Sequence, residues 1–82
     1  MFYVYVLWSD QTERRYVGST QDVQDRLRRH NAAHCQATRS GVPWRVIHVE
    51  GFPTRSAAVE RERYYKTGRG REELDRILCW LV

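Results

Sequence analysis

Tyr5 and Tyr16 stand in two short apolar runs separated by a polar turn, and a phenol can donate a proton or, once ionised near pH 10, accept one. Arg26 brings a planar guanidinium fork of the kind that grips phosphate oxygens through two parallel N–H bonds. Glu62 falls among apolar positions at helical spacing, where an ionised carboxylate needs a cation beside it: a metal, Arg26 or Lys66. Glu60 projects from a different side and is the second choice. His30 closes a Val23–Leu27 stripe and carries the one side chain that titrates near neutral pH without help. Each residue also has an ordinary explanation. A strand tyrosine usually packs, Arg26 could pair with Asp22, and a histidine at the end of an apolar stripe is usually satisfied by a backbone carbonyl. Only their grouping in space raises them above packing.

The elements that must position these groups follow from residue patterning. Phe2 to Trp8 is an aromatic and β-branched run, Ser-Asp-Gln-Thr follows it, and Arg14 to Ser19 is a second run, which together predict a β-hairpin. With a loop of Ser9 to Thr12, Tyr5 would lie directly opposite Tyr16. A helix is expected from Ser19 or Thr20, either of which could cap it, with Val23, Leu27 and His30 on one face and Arg26 beside them; Asn31 and small residues end it. A polar basic loop, His34 to Pro43, is where a ligand could enter. Trp44 to Glu50, with Val46, Ile47 and Val49, predicts a third strand. Phe52-Pro53-Thr54 is a stop and a cap before a helix from Arg55 to about Lys66, whose apolar side carries Ala58, Val59 and Tyr65. A Gly68-Arg69-Gly70 turn then leads to a last helix with Leu74, Ile77, Leu78 and Leu81 as core. The order β-β-α-β-α-α describes one α+β domain over residues 1–82, with a small, mostly antiparallel three-stranded sheet flanked by helices.

Composition narrows the function. An 82-residue chain has room for one core, and ten aromatic residues supply the packing surface an ordered domain needs. Two cysteines, Cys35 and Cys79, cannot build a disulfide framework, and no apolar run resembles a signal peptide or a membrane span, so a cytoplasmic protein with free thiols is expected. Thirteen of the fourteen basic residues are arginine. Between Arg26 and Val49 there are five arginines and three histidines but no acidic residue, which favours an anionic partner. His30, His34 and Cys35 form an H-x₃-H-C string, but no fourth zinc ligand lies nearby. Trp44 and Trp80 are expected in the core rather than as base-stacking platforms.

Tyr3-Val4-Tyr5 and Tyr16-Val17-Gly18 resemble the paired GIY and YIG motifs of the GIY-YIG nuclease superfamily. The resemblance continues through Asp22 to Asn31, similar to the family's arginine-bearing helix, and through Ala58 to Lys66, similar to its later glutamate-bearing helix. It covers about the first 70 residues in the expected order, which is far more specific than a tripeptide. The arrangement is most similar to the small stand-alone branch related to the N-terminal domain of the C component of excinuclease ABC. By this resemblance Tyr5, Tyr16, Arg26 and His30 would be catalytic, Glu62 would be both catalytic and the ligand of one divalent metal, Mg²⁺ or Mn²⁺, and Tyr3 and Gly18 would be structural motif positions. Tyr3 stands where many members carry glycine.

The implied activity is metal-dependent endonucleolytic hydrolysis of a nucleic-acid phosphodiester, in DNA repair or processing, with DNA placed ahead of RNA as substrate. The metal would polarise the phosphate and stabilise the leaving 3′ oxygen, Tyr16 would take a proton from water, Tyr5 would position the water or share that proton, Arg26 would clamp the phosphate, and His30 would orient Tyr16 or relay its proton. A phenol acts as base only if neighbours favour its phenolate. Arg28, Arg29, Arg39, Arg45, Lys66 and Arg69 are candidates for contacts to the nucleic-acid backbone. Two alternatives remain: a catalytically weak or inactive nucleic-acid-binding module of the same fold, and a domain that acts only when a protein partner supplies substrate contacts.

Overall fold

The computed structural model describes residues 1–79. Three strands, β1 (Phe2–Ser9), β2 (Arg14–Thr20) and β3 (Trp44–Phe52), form one antiparallel sheet in the order β2-β1-β3. Helix α1 (Val23–Asn31) follows β2, a short 3₁₀ turn (Arg39–Gly41) precedes β3, and α2 (Arg55–Tyr65) and α3 (Gly68–Leu78) close the chain. The α+β class and the element order agree with the pattern read from the sequence. No helix among the described residues is long and apolar enough to cross a membrane.

Alternation along the central strand sends successive side chains to opposite faces and builds two cores. Val4 and Val6 pack with Val17 against Ala58, Tyr65, Leu74 and Leu78 of α2 and α3. Tyr5 and Leu7 pack with Trp44 against Val23 and Leu27 of α1, with Tyr16 and Val46 at the margin. A β-bulge between the Val6 and Leu7 pairs inserts one residue into β3. Trp44 and Val46 thereby serve the α1 side, whereas His48 and Glu50 reach the side of α2, where Glu50 accepts the Tyr65 hydroxyl. Val49 stays exposed. Trp44 is buried as expected; the parallel expectations for Trp80 and Leu81 lie outside the described residues.

The hairpin register differs from the expected one. β1 runs on to Ser9, the loop is Asp10 to Glu13, and Tyr5 faces Gly18 while Leu7 faces Tyr16. Ser9 is fully buried and its Oγ accepts the Thr12 N–H at 3.1 Å, so it ends the strand rather than opening the turn. The offset is two residues, which keeps both tyrosines on one face.

The start of α1 also differs. Asp22 is its cap, accepting the Asp25 N–H at 3.0 Å, while the Thr20 hydroxyl accepts the Asp22 N–H at 3.2 Å and so shapes the turn before the helix. Asn31 ends α1 as expected and pins the next strand, its Oδ1 accepting the Trp44 N–H at 2.5 Å and its Nδ2 donating to the Trp44 carbonyl at 3.0 Å. The loop that follows is exposed at His34, Gln36, Ala37, Arg39, Ser40 and Pro43 but is anchored at two points. Thr38 and Gly41 are buried, and the Trp44 indole N–H donates to the Thr38 carbonyl at 2.7 Å, so the loop packs as a lid on Trp44.

Thr54 caps α2 as expected, accepting the Ala57 N–H at 3.1 Å. The glycine-flanked turn, in contrast, is the first turn of α3. Thr67 caps it by accepting the Gly70 N–H at 3.0 Å, and Gly70 lies so close to the Tyr64 carbonyl that a β-carbon would overlap it. Gly70 serves close helix approach, not chain reversal. Arg61 ties α2 to both neighbours, donating to Glu50 at 3.1 Å and to Glu73 at 2.6 Å.

Candidate active site at the β2 edge

β2 is an edge strand, and helices flank it on both faces, α1 beside Tyr16 and α2 beside Ser19. Tyr5, Tyr16 and His30 form an aromatic cluster on the α1 side. Ring centroids are 5.0 Å apart for Tyr16 and His30, 6.0 Å for Tyr5 and His30 and 6.4 Å for the two tyrosines. Glu62 and Lys66 come from the opposite face and meet this cluster around the strand edge, with the Lys66 Nζ 5.8 Å from the centre of the Tyr16 ring.

Tyr5 is 1% exposed and its hydroxyl lies 3.0 Å from His30 Nε2. His30 Nδ1 lies 2.7 Å from the Thr38 hydroxyl, which donates onward to the Cys35 carbonyl at 3.4 Å. That polarity makes Nδ1–H the donor to Thr38 and leaves Nε2 to accept the Tyr5 proton. Both ring nitrogens of His30 are therefore occupied by side chains, neither by a backbone carbonyl. Burial first, then the Arg26 charge, holds its pKa below the usual histidine value, so the imidazole is neutral at pH 7.

The phenols are held protonated. Burial, reinforced by the proximity of Tyr16, pushes Tyr5 up to about 12 against the opposing pull of Arg26. Burial also raises Tyr16, although Lys66 and Arg26 both pull it down. Tyr16 is the half-buried member and the one beside solvent.

Glu62 is enclosed enough to need partners, its side chain being 21% exposed. Oε1 accepts the Ser19 hydroxyl at 2.6 Å and Oε2 the Lys66 ammonium at 2.8 Å. Burial pushes its pKa up, but those two bonds and the charges of Lys66 and Arg63 outweigh it, and the carboxyl ends below its ordinary value. Its cation is thus Lys66. An ionised carboxylate beside a hydroxyl is a hard-oxygen donor set that suits Mg²⁺ or Mn²⁺. Among the described residues no three His, Cys, Asp or Glu side chains come together, so an ion at Glu62 would complete its shell with water and substrate oxygens. Glu60 is exposed on the same helix and joins none of these contacts.

Arg26 is exposed on α1, close enough to influence Tyr5, Tyr16 and His30, and belongs to none of the ion pairs among the described residues; Asp22 is occupied as the helix cap instead. Arg28 and Arg29 lie on the same helix and both pair with Asp25. Arg39 and Arg69 are exposed, on the 3₁₀ turn and in the first turn of α3. Arg45 is set apart: it lies on β3, the far edge of the sheet, opposite Trp8, and pairs with Asp10 at 3.5 Å. Tyr3 is half-buried on β1, and Gly18 lies against the Tyr5 phenol.

Two participants carry no sequence signal of their own. Thr38 orients His30 from a loop whose path depends on Trp44, and Ser19, a candidate helix cap in the sequence, is instead the hydroxyl partner of Glu62.

Comparison with known proteins gives this geometry a lineage. The model of the GIY-YIG catalytic domain matches residues 1–74. A UPF0213 protein of Haloquadratum walsbyi is 42% identical over 66 residues, covering 79% of this chain and 73% of its own. The structure-specific endonuclease subunit slx1 of Schizosaccharomyces japonicus is 42% identical over 69 residues, which span 76% of this chain but only 25% of that protein. The solution NMR structure of the UPF0213 protein BH0048 from Bacillus halodurans superposes with a TM-score of 0.56 at 30% identity, covering 94% of this chain and 85% of that one. With the family model spanning the sheet, α1, α2 and most of α3, this chain belongs to the GIY-YIG family.

Proposed function

We propose that this protein is a metal-dependent endonuclease that hydrolyses nucleic-acid phosphodiester bonds, with DNA, in repair or processing, as the preferred substrate class. The observation that carries the reading is the meeting of Tyr16 with Glu62 and Lys66 around the β2 edge, backed by the Tyr5–His30 pair. Family membership supports it, as does the slx1 relative, whose name describes a structure-specific endonuclease subunit. The words structure-specific and subunit in that name also support a substrate selected by its shape and a protein partner that contributes substrate contacts.

Glu62, with Ser19 beside it, would hold one Mg²⁺ or Mn²⁺, which supplies charge neutralisation at the phosphoryl group and at the departing 3′ oxygen. Tyr16 faces solvent and takes the proton of the attacking water, whose oxygen bonds to phosphorus as the P–O3′ bond breaks. Its phenolate must be favoured against burial, and Lys66 and Arg26 supply positive charge for this. Tyr5 and neutral His30 lie behind it as a hydrogen-bonded support that fixes the Tyr16 ring. Arg26, which joins no ion pair among the described residues, grips the scissile phosphate through its guanidinium fork. Arg28, Arg29, Arg39, Lys66 and Arg69 hold the backbone on either side, and Arg45, on the far edge, serves an extended substrate only. A nucleic-acid-binding module that does not cut is the second reading, and the raised phenol pKa values favour it.

The test is cleavage of a labelled panel of single-stranded, duplex, flap and branched DNA, and RNA, with Mg²⁺, Mn²⁺ or EDTA, by wild type, Glu62→Ala and Tyr16→Phe. Metal-dependent products lost in both variants support the nuclease. Salt-sensitive binding that is equal in all three proteins, with no cutting, supports the binding module.

A further inference from the structure

Lys66 is shared between two surroundings. Its ammonium closes the ion pair to Glu62 Oε2, and the same side chain lines a cleft of about 320 Å³ on the outer side of Tyr16. The other walls are Arg15, Tyr16, Val17, Tyr65 and Arg71. Arg15 is tethered there, donating to Asp75 at 2.6 Å and to the Arg71 carbonyl at 3.2 Å. Arg71 is exposed and joins no ion pair among the described residues. The cleft thus gathers three basic side chains beside the Tyr16 and Tyr65 rings, Arg15 fixed by Asp75 and Arg71 free of any ion pair among the described residues, and suits a phosphate.

A divalent cation held by the Glu62 carboxylate and the Ser19 hydroxyl would stand within a few ångströms of the Lys66 ammonium now bonded to Oε2, and the two positive charges repel at that range. Lys66 follows the last residue of α2 as its cap, and its side chain is half exposed, so it can turn without disturbing the helix. We propose that Lys66 exchanges between two anions: it neutralises Glu62 while metal is absent, and when a divalent cation takes the carboxylate it turns into the Arg15–Tyr16–Arg71 cleft and receives a nucleic-acid phosphate. This rests on the reading of Glu62 as the metal ligand.

The consequence is linkage. Metal binding frees the lysine for phosphate, phosphate holds the lysine away from Glu62, and each ligand strengthens the other by the same factor. A lysine that only adds positive charge would weaken metal binding and strengthen nucleic-acid binding without coupling the two.

Mn²⁺ affinity is to be read from the loss of the free-ion paramagnetic resonance signal, with and without a short phosphorothioate-linked DNA duplex that resists cleavage, corrected for the duplex alone. The proteins are wild type, Lys66→Gln, Arg71→Ala and Glu62→Gln. In wild type the duplex should raise Mn²⁺ affinity at least about fivefold. Lys66→Gln should bind Mn²⁺ more tightly than wild type without DNA and gain at least about twofold less from the duplex than wild type does, the remaining gain coming from substrate oxygens on the ion. Arg71→Ala should weaken duplex binding by about the same factor with and without Mn²⁺. Equal coupling in wild type and Lys66→Gln, or none in wild type, overturns the exchange while leaving Glu62 as the ligand. Mn²⁺ binding that survives unchanged in Glu62→Gln overturns the metal site itself, and the exchange with it.

Discussion

The phenolic oxygen of Tyr5 lies 2.5 Å from the point where a β-carbon on Gly18 would stand, and its Cζ lies 2.6 Å from the same point. The two residues face each other across the central pair of strands, so the phenol crosses the glycine on its way to His30. Gly18 is thus a space requirement set by one side chain.

Gly18→Ala should cost about 1–3 kcal/mol by overpacking and displace the Tyr5–His30 pair. Urea denaturation of Gly18→Ala in wild-type and Tyr5→Leu backgrounds checks the cause. The penalty should shrink in the second, where no ring end meets the new methyl group. An equal penalty in both would mean that Tyr5 is not what excludes the side chain.

The two glycines that begin α3 should respond oppositely. A β-carbon at Gly70 would overlap the Tyr64 carbonyl, which is backbone and cannot swing aside, whereas one at Gly68 meets nothing within 4 Å. Gly70→Ala is expected to lower stability by more than about 2 kcal/mol, as a severe overpacking change. Gly68→Ala should raise it by about 0.5 kcal/mol through reduced unfolded-state entropy. Chemical denaturation of the pair decides it.

Cleavage, if Tyr16 is the proton acceptor, should rise with pH across the neutral range. Burial holds the phenol above its ordinary value, so the reactive phenolate is a small fraction that grows about tenfold per pH unit. The logarithm of the single-turnover rate should climb steadily from pH 7 to pH 9 without a plateau. His30, held neutral by burial and Arg26, should add a second loss only below the ordinary histidine range. A flat profile from pH 7 to 9 would remove Tyr16 from that role.

Stability should fail on both sides of neutrality. Tyr5, Tyr16 and Tyr65 all have folded pKa values above 10, so the folded state keeps protons that the unfolded chain releases. Their contribution is complete below pH 10 and is lost as pH rises beyond it. Glu50 and Glu62 have folded values below 4.5, the net result of partners overcoming burial, so their contribution is present above that pH and lost as it falls further. Thermal melts at 0.5-unit intervals should therefore show Tm falling first below about pH 6.5, where the unfolded chain protonates His30 and the buried neutral imidazole resists, falling further through the carboxylate range, and falling on the alkaline side above about pH 10. The alkaline fall should lessen in Tyr65→Phe.

Arg26→Lys should not restore what Arg26→Ala loses. A lysine keeps the charge near Tyr5 and His30 but has no fork with which to hold two phosphate oxygens. Both variants should lower kcat/KM at least about tenfold, the loss expected for a transition-state contact worth about 1.4 kcal/mol. Near-wild-type activity of the lysine variant would reduce Arg26 to a source of charge.

Much of this protein was legible from residue order alone, because the signals are local. Alternating β-branched and aromatic residues specified three strands, helical spacing of Val23, Leu27 and His30 placed those three on one face, and Thr54 marked the start of α2. Tyr5 and Tyr16 could be assigned to one face although their register was off, since a shift of two residues preserves the side to which each points. What only the tertiary structure decided involves partners distant in sequence. The hairpin loop depended on burial of Ser9, the role of Gly70 on how closely α3 approaches the end of α2, and the support of His30 on a loop folded over Trp44. The sequence offered Glu62 a choice of cations, and selecting Lys66, with Ser19 on the other oxygen, required α2 to pack across the edge strand. Side-chain periodicity reports which face a residue occupies, but the identity of its neighbour is set by how separate elements pack, and no local pattern encodes that.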